Sequence, residues 1–195
     1  MRLRKNEILV LRTCSPDGKS HGGFQWPDKG TVEAPDWVDD DKCGHGLHGL
    51  PWGAGGAAYV LIQGDNVWVV KVDTSKDYRH GSGDLRDKCK FRSGVVVLSH
   101  VDITEAMALI QRHAPHDIIC NFAFQTAGAY STQTAGDCST QTAGYDSTQK
   151  AGVGTVQIIH YYHDDEWKVK TRVITEKEAG KPYKFENGKW RLVSG

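Results

Sequence analysis

Cys43, His45 and His48 lie within six residues of one another, and thiolate and imidazole are the donors that zinc prefers. Their spacing is not that of a known finger and no second cluster is close by in sequence. The run is therefore assigned no metal, and is read as a loop in which His48 hydrogen-bonds backbone. The glycines between Gly44 and Gly56 would let backbone approach a phosphate closely, although the Lys-Ser/Thr of a P-loop is missing. Trp26, Trp37 and Trp52 offer flat faces on which a nucleobase could stack. His45, His48, Trp52, Arg12, Gln25 and Trp26 are the candidate ligand-binding residues. The chain has no Gly-x-Ser-x-Gly and no ordered set of Ser, His and Asp, so no catalytic residue and no cofactor is assigned. His160 and His163 sit three apart on an expected strand, where the two-residue period puts them on opposite faces.

The elements that must hold these residues come next. Expected strands are Glu7 to Thr13, Ala57 to Gln63, Val67 to Asp73 and Gly94 to Val101, with Gly64-Asp65-Asn66 turning the second into the third. A helix is expected from Ile103 to His113, capped by Asp102 with Glu105 three residues on and stopped by Pro115. Its Ile103, Met107 and Ile110 share one face, read as core. Asp117 to Phe124 reads as a further buried strand. The C-terminal segment predicts Thr155 to His163 paired with Trp167 to Thr175, then a hairpin of Tyr183-Phe185 and Trp190-Val193 turned at Asn187-Gly188.

Between them, Gln125 to Gly152 repeats every eight residues, with glycine at 128, 136, 144 and 152. A fixed period with one glycine per unit predicts a turn at each glycine and short strands between, the pattern of a small β-solenoid. Two units per coil give two coils, about 10 Å tall at roughly 4.8 Å per strand. Such a stack needs its neighbours to cover its ends. The fold expected is α+β: an N-terminal mixed domain over 1–120, a solenoid insert over 121–152 and a β cap over 153–195. Across 125–149 the only charged side chains are Asp137 and Asp146, so Thr132, Thr134, Thr140 and Thr142 are expected to mediate self-association.

Twenty-four basic and 24 acidic side chains cancel, which removes the field that would draw a polyanion, so nucleic acid is not an expected partner. No run approaches the roughly 18 apolar residues of a spanning helix, and no membrane role is expected. The apolar run Ile8 to Leu11 behind the basic start is only four residues long, too short for a leader's apolar stretch, and reads as strand. Five cysteines at irregular spacing give no disulfide framework, and reduced thiols fit a cytoplasm.

The run Cys43-Gly44-His45-Gly46-Leu47-His48, the upstream Gly22-Gly23-Phe24-Gln25-Trp26 with Gly30-Thr31-Val32, the octapeptides and the closing Tyr183-to-Arg191 segment together resemble a family of uncharacterised phage and prophage proteins. The octapeptides alone resemble those of bacterial ice nucleation proteins. The phage resemblance implies a cytoplasmic accessory protein in an infected bacterium. It would act in counter-defence without turnover, by binding a small nucleotide-like signal or blocking a host defence protein. A strand bearing Arg12 and a later Gly-Leu-His strand loosely resemble the ADP-ribosyltransferase fold, which implies an enzyme using NAD as the alternative. A structural part of the virion is the third.

Overall fold

Glu7–Cys14 forms the first strand (β1), and side chains from both of its faces are buried: Leu9 and Leu11 on one, Val10 and Cys14 on the other. Such a strand needs cover on two sides, and the computed structural model supplies it. The structure describes all residues except 21, 56–65, 116–117 and 194–195. The chain divides into two compact units, Met1–Ile118 and Ile119–Gly195.

In the first unit β1 is joined by Gly30–Glu33 (β2), Leu47–Pro51 (β3), Asn66–Asp73 (β4), Tyr78–His80 (β5), Cys89–Phe91 (β6) and Ser93–Val101 (β7). They make one antiparallel sheet in the order β2-β7-β4-β1-β3-β6-β5. The β1–β4 ladder is complete from Glu7↔Asp73 to Cys14↔Asn66. By contrast, β1 pairs with β3 only through Val10↔Pro51 and Leu11↔Leu50. One side of the sheet carries a core of Val10, Trp26, Trp68, Val70, Phe91 and Val96. The helix α1 (Ile103–His113) packs against β1, β4 and β7 through Ala106, Met107 and Ile110. Asp102 caps α1, its Oδ1 accepting from the Glu105 N–H at 2.8 Å.

The second unit holds the repeats. Phe124–Thr126 (β8), Thr140–Gly144 (β10), Val156–His163 (β12) and Glu166–Val173 (β13) make one sheet, in the order β13-β12-β10-β8. Thr132–Thr134 (β9), Thr148–Lys150 (β11), Pro182–Glu186 (β14) and Lys189–Leu192 (β15) make another, β15-β14-β11-β9. Parallel neighbours are offset by sixteen residues, Gln125↔Gln141↔Gln157 in one sheet and Gln133↔Gln149 in the other. Consecutive octapeptides therefore go to alternate sheets.

Three expectations are corrected. The chain is predominantly β and not α+β: among the described residues α1 is the one α-helix, and the strands fall into three sheets. The repeats are not a separate solenoid insert either. Their strands belong to two open sheets, each finished by an antiparallel hairpin from beyond the repeats, and no closed coil forms. The glycines are also not the turns. Positive φ recurs every eight residues at Phe122 (54°), Tyr130 (56°), Cys138 (52°), Asp146 (59°) and Gly154 (74°), the last four each two places after a repeat glycine. The glycines instead permit close stacking: a Cβ on Gly144 would lie 2.6 Å from the Ala129 nitrogen, and one on Gly152 would lie 2.7 Å from the Asp137 nitrogen.

The expected strand Ala57 to Gln63 and its Gly64-Asp65 turn lie outside the described residues. Of the expected strand Asp117 to Phe124, residue 117 lies outside them, 118–123 carry no strand, and Phe124 opens β8.

Candidate functional site

In a Thr-Gln-Thr strand the period of two sends Gln to one face and both Thr to the other. Gln141, Gln149 and Gln157 are fully buried, and their amides form ladders. Gln157 Nε2 donates to Gln141 Oε1 at 2.9 Å, Gln141 to Gln125 at 3.1 Å, and Gln149 to Gln133 at 2.8 Å. Three of the amides also reach across to the facing sheet: Gln125 to the Thr134 carbonyl (2.6 Å), Gln133 to Thr142 (3.1 Å) and Gln141 to Lys150 (3.1 Å). Arg172 Nε closes one ladder on Gln157 at 2.9 Å, its guanidinium held between Tyr183 and Trp190 at 3.9 and 4.6 Å from the ring centroids. Serine hydroxyls bind the level beneath, as in Ser147 Oγ to the Gly128 carbonyl at 3.2 Å.

With Gln holding the inside, Thr rows form on the outside. On β8, β10 and β12 the outward positions are Phe124 and Thr126, Thr140 and Thr142, Val156 and Ile158. They continue onto Thr171 and Val173 of β13. None of these side chains is charged. On the other sheet the outward row contains Lys150 and Lys184 among Thr132, Thr134 and Thr148. The structure thus divides the four threonines expected to act together, Thr132 and Thr134 on one sheet and Thr140 and Thr142 on the other.

The first unit contains a cavity of about 680 Å³. It lies where β1–β3 pairing stops, with Arg12 and Thr13 on one side and Leu47 and His48 on the other. Arg12 occupies the inward position between Val10 and Cys14, opposite Trp68. Its Nη1 donates to the His48 carbonyl at 3.3 Å, and its guanidinium lies 5.7 Å from the Trp26 ring centroid. Phe24 meets Trp26 edge-on at 5.8 Å. The rim is Cys43 to Gly46, with positive φ at Gly44 (95°), His45 (50°) and Gly46 (146°). Lys90, fully buried, anchors that rim: its ammonium donates to Asp40 and to the Lys42 carbonyl, and Trp37 lies over it.

Arg12, Trp26, His45 and His48 therefore line one cavity. Gln25 and Trp52 do not: the Gln25 amide donates to the Asp17 carbonyl at 3.0 Å, and Trp52 takes a turn with φ 55° directly after β3. Cys43, His45 and His48 each have separate neighbours. Cys43 Sγ is 2.8 Å from Lys88 Nζ, His45 Nδ1 is 3.6 Å from Asp36, and His48 bonds the Gly46 backbone. Burial, reinforced by Lys88, Arg12 and Lys90, lowers the His48 pKa to about 4, so the ring is neutral at pH 7. Lys88, which the sequence reading passed over, also lines the cavity. Its one signal is its place before the buried Cys89 and Lys90 of β6.

No protein-family model and no solved structure matches the chain. Curated relatives do match. The chain is 42% identical over 65 residues, a third of its length, to an ice nucleation protein of Pseudomonas syringae. It is 37% identical over 75 residues to that of Pseudomonas fluorescens, and 36% identical over 75 residues to ice nucleation protein InaU of Pantoea ananas. It spans only 6–7% of those relatives' own length. The likeness of the repeats to ice nucleation proteins stands. The phage counter-defence reading is overturned by these relatives, and its NAD-enzyme and virion alternatives find no support. The cytoplasmic placement, read from the cysteines and from the phage resemblance, is likewise overturned by these relatives. What the comparisons establish is a repeat segment similar to that of bacterial ice nucleation proteins.

Proposed function

We propose that the C-terminal unit is a short water-ordering module of the ice-nucleation type. The observation that carries this reading is the in-register stacking of the repeat strands at sixteen-residue intervals, Phe124-Gln125-Thr126 on Thr140-Gln141-Thr142 and Thr132-Gln133-Thr134 on Thr148-Gln149-Lys150. It places hydroxyls and methyls in a grid, roughly 6.6 Å along a strand and roughly 4.8 Å between strands. These spacings are of the order of the repeats in the ice lattice. The buried Gln ladders fix the grid from within, so bound water loses little to motion of its support. The uncharged sheet of Thr126, Thr140 and Thr142 is the better face, because a lysine in the row, as on the other sheet, imposes its own hydration.

Two levels of threonine make a small template, and a small template supports only the small ice embryos that are viable at deep supercooling. Droplets of the purified chain should accordingly freeze a few degrees above buffer droplets. A Thr140→Lys/Thr142→Lys variant with an unchanged circular dichroism spectrum should lose that difference. Wild-type droplets that freeze with buffer, or a variant that freezes with wild type, would overturn the reading.

A further inference from the structure

We infer that the cavity between β1 and β3 is a binding site for a small hydroxylated organic phosphate, such as a nucleoside monophosphate. Four independent features meet there. The first is a charge in an expensive place: Arg12 stands on the core side of a central strand, in line with Val10 and Cys14. Burying a guanidinium there is costly unless it has a partner. The groups it meets are the His48 carbonyl, the Cys14 thiol and the Trp26 ring, none of them anionic. Lys88 adds a second cation at the rim.

The second feature is a set of orphaned polar atoms. Arg12 Nε, Trp26 Nε1 and His48 Nε2 are all buried without a hydrogen-bond partner, and all belong to residues lining this cavity. A buried polar atom left unpaired is destabilising, and the concentration of three at one place is what a site completed by a ligand looks like. The third feature is mixed polarity. Arg12 and Trp26 are donors. His48 is neutral, with its other ring nitrogen given to the Gly46 carbonyl, so Nε2 carries a lone pair and accepts. An anion satisfies the donors, and a hydroxyl on the same molecule satisfies the acceptor. The fourth is size. About 680 Å³ lies in the usual range of small-molecule sites and far exceeds a bare phosphate, while the Phe24–Trp26 pair offers a ring a surface to pack on.

The test is isothermal titration of the full chain with AMP, ribose 5-phosphate and inorganic phosphate. AMP and ribose 5-phosphate should bind, with inorganic phosphate at least tenfold weaker. Arg12→Gln should weaken AMP at least tenfold, and Lys88→Gln, a rim change with little bearing on the fold, should weaken it several-fold. His48→Phe should narrow the gap between ribose 5-phosphate and inorganic phosphate, because it removes the hydroxyl's acceptor. Should Arg12→Gln fail to fold, Lys88→Gln and His48→Phe decide. Absence of binding by all three probes at millimolar concentration overturns the inference, as does AMP affinity unchanged in the variants. These outcomes are independent of droplet freezing, which reads the other unit.

Discussion

His48 shows how one residue's surroundings set its chemistry. Its folded pKa of about 4 lies below the ordinary imidazole value of 6.5, so between those values the unfolded chain takes up a proton that the folded chain refuses. The resulting stability is present above pH 6.5 and is lost as pH falls toward 4. The full shift corresponds to roughly 3 kcal/mol, and partial exposure of the ring brings the expected loss nearer 2 kcal/mol. Urea unfolding at pH 7 and pH 4.5 should show His48→Gln losing less stability on acidification than wild type, and equal losses would refute the assignment. At this scale much of the cavity was legible: Arg12, Trp26, His45 and His48 were singled out from residue type and local glycine, and the fold brings them together. Trp52 and Gln25 were grouped with them by nearness in sequence. That nearness fails where a turn such as Trp52-Gly53, with φ of 55° and 65°, points consecutive side chains different ways.

At the scale of the element, the repeat's glycines and its turn residues have exchanged the roles the period assigned them. The period of eight was plain in the sequence, but period alone does not tell which position takes φ > 0, because Phe122, Tyr130 and Cys138 have no special claim to it and only Asp146 and Gly154 do. The glycines are selected by the next level of the stack, a long-range constraint invisible to local reading. Gly144 has the Ala129 nitrogen 2.6 Å from where a Cβ would stand, whereas Gly128, on the first level, has nothing within 4 Å. Gly144→Ala should therefore cost about 1–3 kcal/mol. Gly128→Ala should be neutral or stabilise by up to about 1 kcal/mol. Thermal unfolding of the two variants side by side tests this, and equal midpoints would contradict it. The short strands β2, β5 and β6 were missed for a related reason: at three or four residues their pairing partners decide them more than their own composition does.

For the whole molecule, the open question is what meets the ends of the two repeat-bearing sheets. β8 and β9 are edge strands, residues 124–134 carry no charge, and Phe124 and Tyr130 are 53% and 70% exposed. Uncharged edges are templates for another strand, so self-association is expected through β8 and β9, extending the Thr rows instead of covering them. Light scattering should give a multiple of 21.5 kDa, and Phe124→Lys with Thr132→Lys should return the mass to that of one chain. A wild-type monomer at about 100 µM, a concentration at which even a weak edge contact should register, would count against the idea.

The alternation of octapeptides between two sheets imposes a parity on the repeat number. Because β10 hands on to β12 and its hairpin, while β11 hands on to β14, the chain leaving the repeats must depart from a particular side. Adding or removing two units shifts every later strand by one level and leaves its sheet unchanged. Adding or removing one unit exchanges the two sheets for everything that follows: the Val156–Val173 hairpin would then continue the Gln133–Gln149 ladder, while Arg172 stays paired with Gln157 and beside Tyr183 and Trp190, since all four lie beyond the repeats. Duplication or loss in steps of sixteen residues therefore keeps every later strand on its own sheet, while a single octapeptide gained or lost turns the C-terminal hairpins over onto opposite sheets.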